Sequence, residues 1–364
     1  MFVLISIGIL ALLILVHEAG HFTAAKLQGI HVNRFSLGFG PVLARYQGSE
    51  TEYALRLLPL GGFVGFPDED EDSPYADDDP DLLKNRPVPD RLVVMVAGVL
   101  ANLIFAYIAL VTMFGTVGIP TVGAYLPGVL IPQVSASGPA QEAGLQAGDI
   151  VLRLGQYDFS QISTEGESAS AIQDFQTAIS TNPGEVLPLT VEREGSPLEL
   201  LVTPRGEAGA AIIGVNLVPH QTPTFRRPSG LGEILTEAAS SYQRMVVLNI
   251  QGFGRLISNF GDTAQQLSGP VGIVKIGADL AETDGNSLFN FMALISINLA
   301  ILNLLPLPAL DGGHIAFLLL EAIRGKKLPQ RIENTVMQTG LVLLLGLGVV
   351  LIFKDTLALF VGVG

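Results

Sequence analysis

The sequence predicts a polytopic α-helical membrane protein with about four transmembrane helices, an inserted α+β domain outside the membrane and a membrane-associated β-hairpin. Three observations carry that expectation. Of 364 residues, 49% are hydrophobic and only 15% charged, with a positive mean hydropathy, too apolar for an ordinary soluble enzyme. Four apolar stretches, roughly 2–27, 92–117, 288–323 and 336–360, reach or approach the ~20 helical residues that cross a bilayer. Between the second and third lies a region of different character, with short β-like runs separated by Gly and Pro turns.

Composition also excludes. A net charge of −14 with twenty scattered Lys and Arg provides no basic face for nucleic acid. The absence of cysteine rules out disulfides and thiolate ligands, so any metal must be held by His, Asp or Glu.

The first stretch, Phe2 to Val16, has the length of a secretory signal core. No Lys or Arg precedes it, no A-x-A-like site follows cleanly, and cleavage nearby would separate or discard the HEAGH at 17–21. A retained helix over 1–27 is expected. Residues 28–91 read as a cytoplasmic loop. Within it YALRLLPLGGFVGF (53–66) has the Gly and Pro punctuation of a bent hairpin lying against or dipping into the membrane. DEDEDSPYADDDPD (68–81) reads as a solvated, flexible acidic segment, without the ligand spacing of an EF-hand.

After the span at 92–117, residues 125–218 (VLIPQV, DIVLRL, LPLTVER, LELLVTP, AIIGVNLV, and a helix near 169–180) form the α+β domain. In the connecting region 228–287, apolar residues from Leu231 to Ile257 recur at helical spacing. That pattern predicts an amphipathic helix on the membrane surface or packed on the inserted domain. The span at 288–323 is interrupted by Pro306, Pro308, Gly312 and Gly313, so a broken helix is expected, its exposed backbone sheltered by protein. The last span is 336–360. Basic residues after span one (Lys26, Arg34, Arg45, Arg56), before span two (Lys84, Arg86, Arg91) and after span three (Arg324, Lys326, Lys327, Arg331) fall on one side if the spans alternate. The positive-inside rule makes that side cytoplasmic and puts the inserted domain outside.

In HEAGH, the imidazoles of His17 and His21 return to nearly the same helix face one turn apart and can share a metal, while Glu18 is placed to take a proton from its water. Three ionisable groups after at least fourteen apolar residues are costly in lipid unless partnered. A metal supplies that partner. A catalytic zinc needs a third ligand, and Asp311, the lone carboxylate deep in the broken span, is the candidate at matching depth. His314 is a rival, better read as a polar group near the span's end. Asn298 and Asn102 read as helix-gluing amides. Asn303 either glues helices or holds substrate backbone or a developing oxyanion.

HEAGH, the GFG turn at 38–40, LRLLPLGGFVGF at 55–66, SGPVGI at 268–273 and NLLPLPALDGGH at 303–314 together resemble the site-2 protease family of intramembrane zinc metalloproteases, over nearly the whole chain. The resemblance is to the bacterial and plastid branch with an inserted PDZ-like domain, here a single one. It implies Zn2+ held by His17, His21 and Asp311, Glu18 as general base, and cleavage of transmembrane segments of single-pass substrates in a bacterial inner membrane or a plastid membrane. It also marks Gly38, Gly40, Leu60, Gly61 and Gly62 as candidates for substrate contact, and implies a peptide or protein ligand for the PDZ-like domain. Competing readings are a non-proteolytic membrane scaffold or chaperone binding peptides through that domain, a transporter with an ion at Asp311, and a hydrolase of lipids or small molecules. A scaffold has no use for Glu18 as a base.

Overall fold

The computed structural model describes residues 1–70, 73–121, 123–135, 138–222, 224–258, 269–283 and 285–361. The chain divides into two compact units, Met1–Gly118 with Pro228–Gly364, and Ile119–Arg227.

The first unit begins with α1 (Phe2–Leu27), whose buried face is Ser6, Ile9, Leu13, His17, His21 and Ala25. That stripe recurs at three- and four-residue intervals, so one side of an otherwise uniformly apolar helix meets protein. The helix stops where Gly29 takes φ +72°.

β1 (Arg34–Gln47) and β2 (Glu52–Gly65) follow. The hairpin expected from 53–66 alone does not form. Both long strands bend, at Gly38–Gly40 and near Gly61, where the three glycines take positive φ. Each strand thus contributes two segments. Residues 53–55 and 62–64 do not pair with each other but flank 35–37: Tyr53, Ala54 and Leu55 pair in parallel with Phe35, Ser36 and Leu37, and Val64, Phe63 and Gly62 pair antiparallel with the same three. Residues 44–47 complete the sheet beyond 52–55. Pairing between segments distant in sequence outcompetes the local turn.

The acidic segment also departs from expectation. Arg34 and Asn33 bond to Asp70, the Lys84 amide donates to Asp68, Lys84 pairs with Asp77, and Arg86 pairs with Asp81. These cations stand outside the run, so local composition alone could not reveal them. Glu71 and Asp72 lie outside the described residues.

α2 (Val88–Thr116) carries Pro89 in its first turn, starts earlier than the apolar count does, and buries Val94, Gly98, Asn102 and Ala106 along one stripe. After the inserted unit come α5 (Leu231–Ser258), α6 (Pro270–Thr283), α7 (Ser287–Leu304), α8 (Asp311–Arg324) and α9 (Gln330–Val361). α5 packs on α2 and α7, with the Tyr107 hydroxyl donating to the Leu235 carbonyl at 3.1 Å. The span expected over 288–323 is two helices. Between them the chain turns through Pro306, Pro308 and Ala309, the last at φ +69°. Ser268 of the SGPVGI motif lies outside the described residues. Among the described residues, four helices are long and apolar enough to cross a membrane: Phe2–Leu27, Val88–Thr116, Ser287–Leu304 and Arg331–Leu357.

Helices in lipid gain little from burying apolar area, so close backbone approach must hold them. Gly20 illustrates this. A Cβ there would lie 2.5 Å from the Ala97 carbonyl oxygen and 2.8 Å from the Ala101 Cβ, so α1 and α2 touch where the HEAGH turn faces α2.

In the second unit, β3 (Ile119–Thr121) pairs with β10 (Thr224–Arg226), bringing the unit's two ends together. Its main sheet has β4 (Tyr125–Val134), β5 (Ile150–Leu154), β7 (Leu187–Arg193), β8 (Ser196–Val202) and β9 (Val215–Gln221) in the order β8-β7-β5-β4-β9, with β6 (Tyr157–Asp158) on β5. Two helices, α3 (Pro139–Glu142) and α4 (Glu165–Thr181), accompany it. A Thr164–Glu167 capping box starts α4, and Phe175 and Ile179 bury its inner face against Val129, Ile131, Val151 and Leu189. At about 1.5–3 kcal/mol per buried large apolar side chain, this unit has a core of its own.

Candidate metal centre

α1 presents His17 and His21 on its buried stripe, each only 7% exposed. Their Nε2 atoms lie 3.2 Å apart. The turn after α7 returns the chain so that α8 starts at Asp311, whose Oδ2 is 3.2 Å from the His17 Nε2 and 3.3 Å from the His21 Nε2. Glycine permits this return. A Cβ at Gly312 would sit 2.0 Å from the Leu305 carbonyl oxygen, and one at Gly313 2.5 Å from that of Leu307. From the far side α9 supports the turn, with Gly340 directly against Pro308.

Ligand atoms held 2.0–2.1 Å from a tetrahedral zinc lie about 3.3–3.4 Å from one another. The three atoms here have that spacing. Their chemistry points the same way: two imidazole nitrogens facing each other at 3.2 Å can share only one proton, and Asp311 Oδ2 is buried with no hydrogen-bond partner. A divalent metal relieves both problems at once.

The surroundings orient the rings. His21 Nδ1 donates to the Val94 carbonyl at 2.8 Å, leaving Nε2 to face the centre. Gly98, one turn further along α2, makes room for that ring: a Cβ would come within 2.2 Å of the His21 Nε2. Asn303 Nδ2 lies 3.3 Å from the His17 Nε2, so this amide belongs to the site. Asn102 also reaches His17, its Nδ2 lying 3.3 Å from Nδ1. Sequence reasoning misses Gly98 and favours a helix-gluing role for Asn102. A small residue and an amide four apart on α2, matching the four-residue step of HEAGH, were the available signal. His314 stands apart from the cluster, its Nδ1 4.0 Å from the Glu333 Oε1.

Beside the centre the sheet meets α1. A Cβ on Gly62 would lie 2.8 Å from the Glu18 Cγ, so the segment 62–65 runs against the turn that bears Glu18. Gly38 is in close contact with the Leu58 carbonyl, and Gly61 with the Phe39 ring. These glycines shape the bends; Gly40 has only the Leu58 Cδ1 within 4.0 Å of an added Cβ. Leu60 lies within β2 near the same bend.

A model of peptidase family M50 matches residues 5–347. The chain belongs to peptidase family M50. This is the family of site-2 proteases that the motifs resemble. A protein of Nostoc sp. assigned as a zinc metalloprotease is 54% identical over 98% of this chain and 96% of its own length. The membrane metalloprotease ARASP of Arabidopsis thaliana, a chloroplast protein, is 44% identical over 98% of this chain and 79% of its own. The regulator of sigma-E protease RseP of Salmonella typhimurium is 28% identical over 95% and 96%. A solved PDZ domain of an SdrC-like protein from Listeria monocytogenes aligns with 27% of this chain and 90% of its own, at 19% identity and a TM-score of 0.20.

Proposed function

We propose that this M50 chain is a zinc-dependent endopeptidase that hydrolyses peptide bonds within transmembrane segments of membrane protein substrates. The observation that carries the reading is the convergence of His17 Nε2, His21 Nε2 and Asp311 Oδ2, within 3.3 Å of one another, where α1, a helix apolar enough to span a bilayer, meets the start of α8, which follows the similarly apolar α7. When bound, zinc would polarise the scissile carbonyl and bring the pKa of an attacking water toward neutrality. His17, His21 and Asp311 hold it. Glu18, on the same turn but outside the ligand set, takes the water's proton and delivers it to the leaving amine. The Asn303 amide, beside the His17 Nε2, is within reach to donate to the carbonyl oxygen as charge develops there.

A helical substrate hides its carbonyls in its own hydrogen bonds, so it must open before it is cut. Among the described residues, segment 62–65 pairs on one side only, with 34–37, and it lies against Glu18. Addition of the opened substrate to this edge exchanges helix hydrogen bonds for sheet ones beside the general base. Consecutive residues of a strand point their N–H groups to opposite edges, so proline at Phe63 or at Val64 removes the outward donor in one of the two variants. Cleavage falls at least tenfold in that variant; unchanged cleavage in both rejects strand addition.

The inserted unit is read as a PDZ-like domain. A groove of about 590 Å³ between α4 and the edge strand β9, lined by Gln173, Gln176, Thr177, Ile212, Val215 and Leu217, suits an extended peptide end. Single-pass membrane proteins are the proposed substrates and the bilayer of a bacterial inner membrane or a plastid is the proposed setting. The basic loops support a metal centre toward the cytoplasmic side and an inserted unit outside.

Reconstitution with a single-pass substrate tests the reading. Wild-type protein cleaves and chelator stops it, while Glu18→Gln binds zinc but loses at least a hundredfold in rate. Cleavage by Glu18→Gln at the wild-type rate rejects the assignment.

A further inference from the structure

We propose that Asn102 is a positioning residue for the metal centre: its amide oxygen accepts the Nδ1 proton of His17 and so fixes the tautomer in which Nε2 is free to bind metal. The inference deepens the metal-centre reading above and rests on it. Asn102 sits on the buried stripe of α2 at 0% exposure, between α1 and α7. Its backbone carbonyl is held by the Ser296 hydroxyl of α7 at 2.8 Å. The side chain is aimed at His17, with Nδ2 3.3 Å from Nδ1, while Oδ1 is buried without any partner.

The two ends of an amide have nearly the same shape, and which atom faces a neighbour is decided by hydrogen-bond logic. His17 Nε2 faces His21, Asp311 and Asn303, so it is the nitrogen that must keep its lone pair for a metal. A neutral imidazole has one proton, which then resides on Nδ1. A donor facing Nδ1 would oppose it; an acceptor satisfies it. Turning the amide places Oδ1 against Nδ1–H and gives the unpartnered oxygen its bond. His21 has the equivalent arrangement, with the Val94 carbonyl as acceptor for its Nδ1. Both imidazoles are thus oriented from α2, one by a backbone oxygen and one by a side chain. Partners of this kind set ligand affinity by about 10–100-fold.

The role differs from that of an amide that only joins helices. Asn102→Asp keeps an acceptor at the same place, whereas Asn102→Leu keeps the volume and loses it. Purified wild type and both variants, stripped and titrated with Co2+ and then Zn2+ against a chelator, report affinity and the visible ligand-field bands without reference to proteolysis. Asn102→Leu is expected to weaken binding 10–100-fold and alter the bands, and Asn102→Asp to stay within a few-fold of wild type. A structural role alone predicts the reverse order, because an aspartate buried between helices is more disruptive than a leucine. Equal affinity and spectra for wild type and Asn102→Leu overturn the assignment, as does an Asn102→Asp that binds more weakly than Asn102→Leu. Wild type that binds neither metal overturns the centre itself, an outcome distinct from either.

Discussion

Gly98 shows how little freedom single residues have around the paired histidines. Its Cβ position is 2.2 Å from the His21 Nε2, well inside van der Waals contact, and His21 cannot retreat without breaking its bond to the Val94 carbonyl. In an exposed helix, Gly→Ala gains about 1 kcal/mol; here overpacking of about 1–3 kcal/mol opposes it. Gly98→Ala is expected to retain wild-type helix content by circular dichroism yet purify with less than half the zinc, measured by elemental analysis. Full zinc occupancy would show that His21 has slack the packing does not suggest.

At the scale of elements, the pieces with local signatures were legible in the sequence and those made by distant pairing were not. HEAGH and LDGG each carry their chemistry within five residues, and the prolines at 306 and 308 mark the break between α7 and α8. The β1–β2 sheet was not legible, because 35–37 inserts between two arms of what reads as a single hairpin. The acidic run reads as solvated and flexible because the cations that pair with it stand elsewhere in the chain. Glu50 belongs to the same local assembly: it accepts from Lys26 and from the His31 Nδ1, while the Tyr75 ring stacks on His31 at 3.9 Å. Burial pushes the Glu50 carboxyl up, but the hydrogen bonds from Lys26 and His31 outweigh it and the net shift is downward. A carboxylate held below its ordinary value stabilises the fold in full above that value, and the contribution is lost as pH falls through the lowered one. Pepsin is therefore expected to cut segment 73–81 of the intact protein slowly at pH 5 and progressively faster below pH 4. Glu50→Gln should cut fast at both, after correction for pepsin's own pH profile. A wild-type rate that does not change across this window rejects the anchor.

At the scale of the whole molecule, the pairing of Ile119 with Arg226 lets a unit of about a hundred residues enter between α2 and α5 while its two ends stay together, so the membrane layer tolerates the insertion. Which side each segment faces rests on the basic loops, and the sequence provides a clean way to test it: it contains no cysteine, so one introduced thiol is the only one present. Asp78, Gln161 and Lys326 are all exposed and lie in the acidic segment, the inserted unit and the α8–α9 connection. In intact bacterial cells a membrane-impermeant maleimide is expected to label Gln161→Cys, and to label Asp78→Cys and Lys326→Cys only after the membrane is opened. Asp78 and Lys326 must behave alike, because α2 and the α7–α8 pair each cross once between them if all four spans traverse the bilayer. If those two positions label on opposite sides, one apolar helix does not cross, and the metal centre lies at a different depth from the one its flanking charges imply.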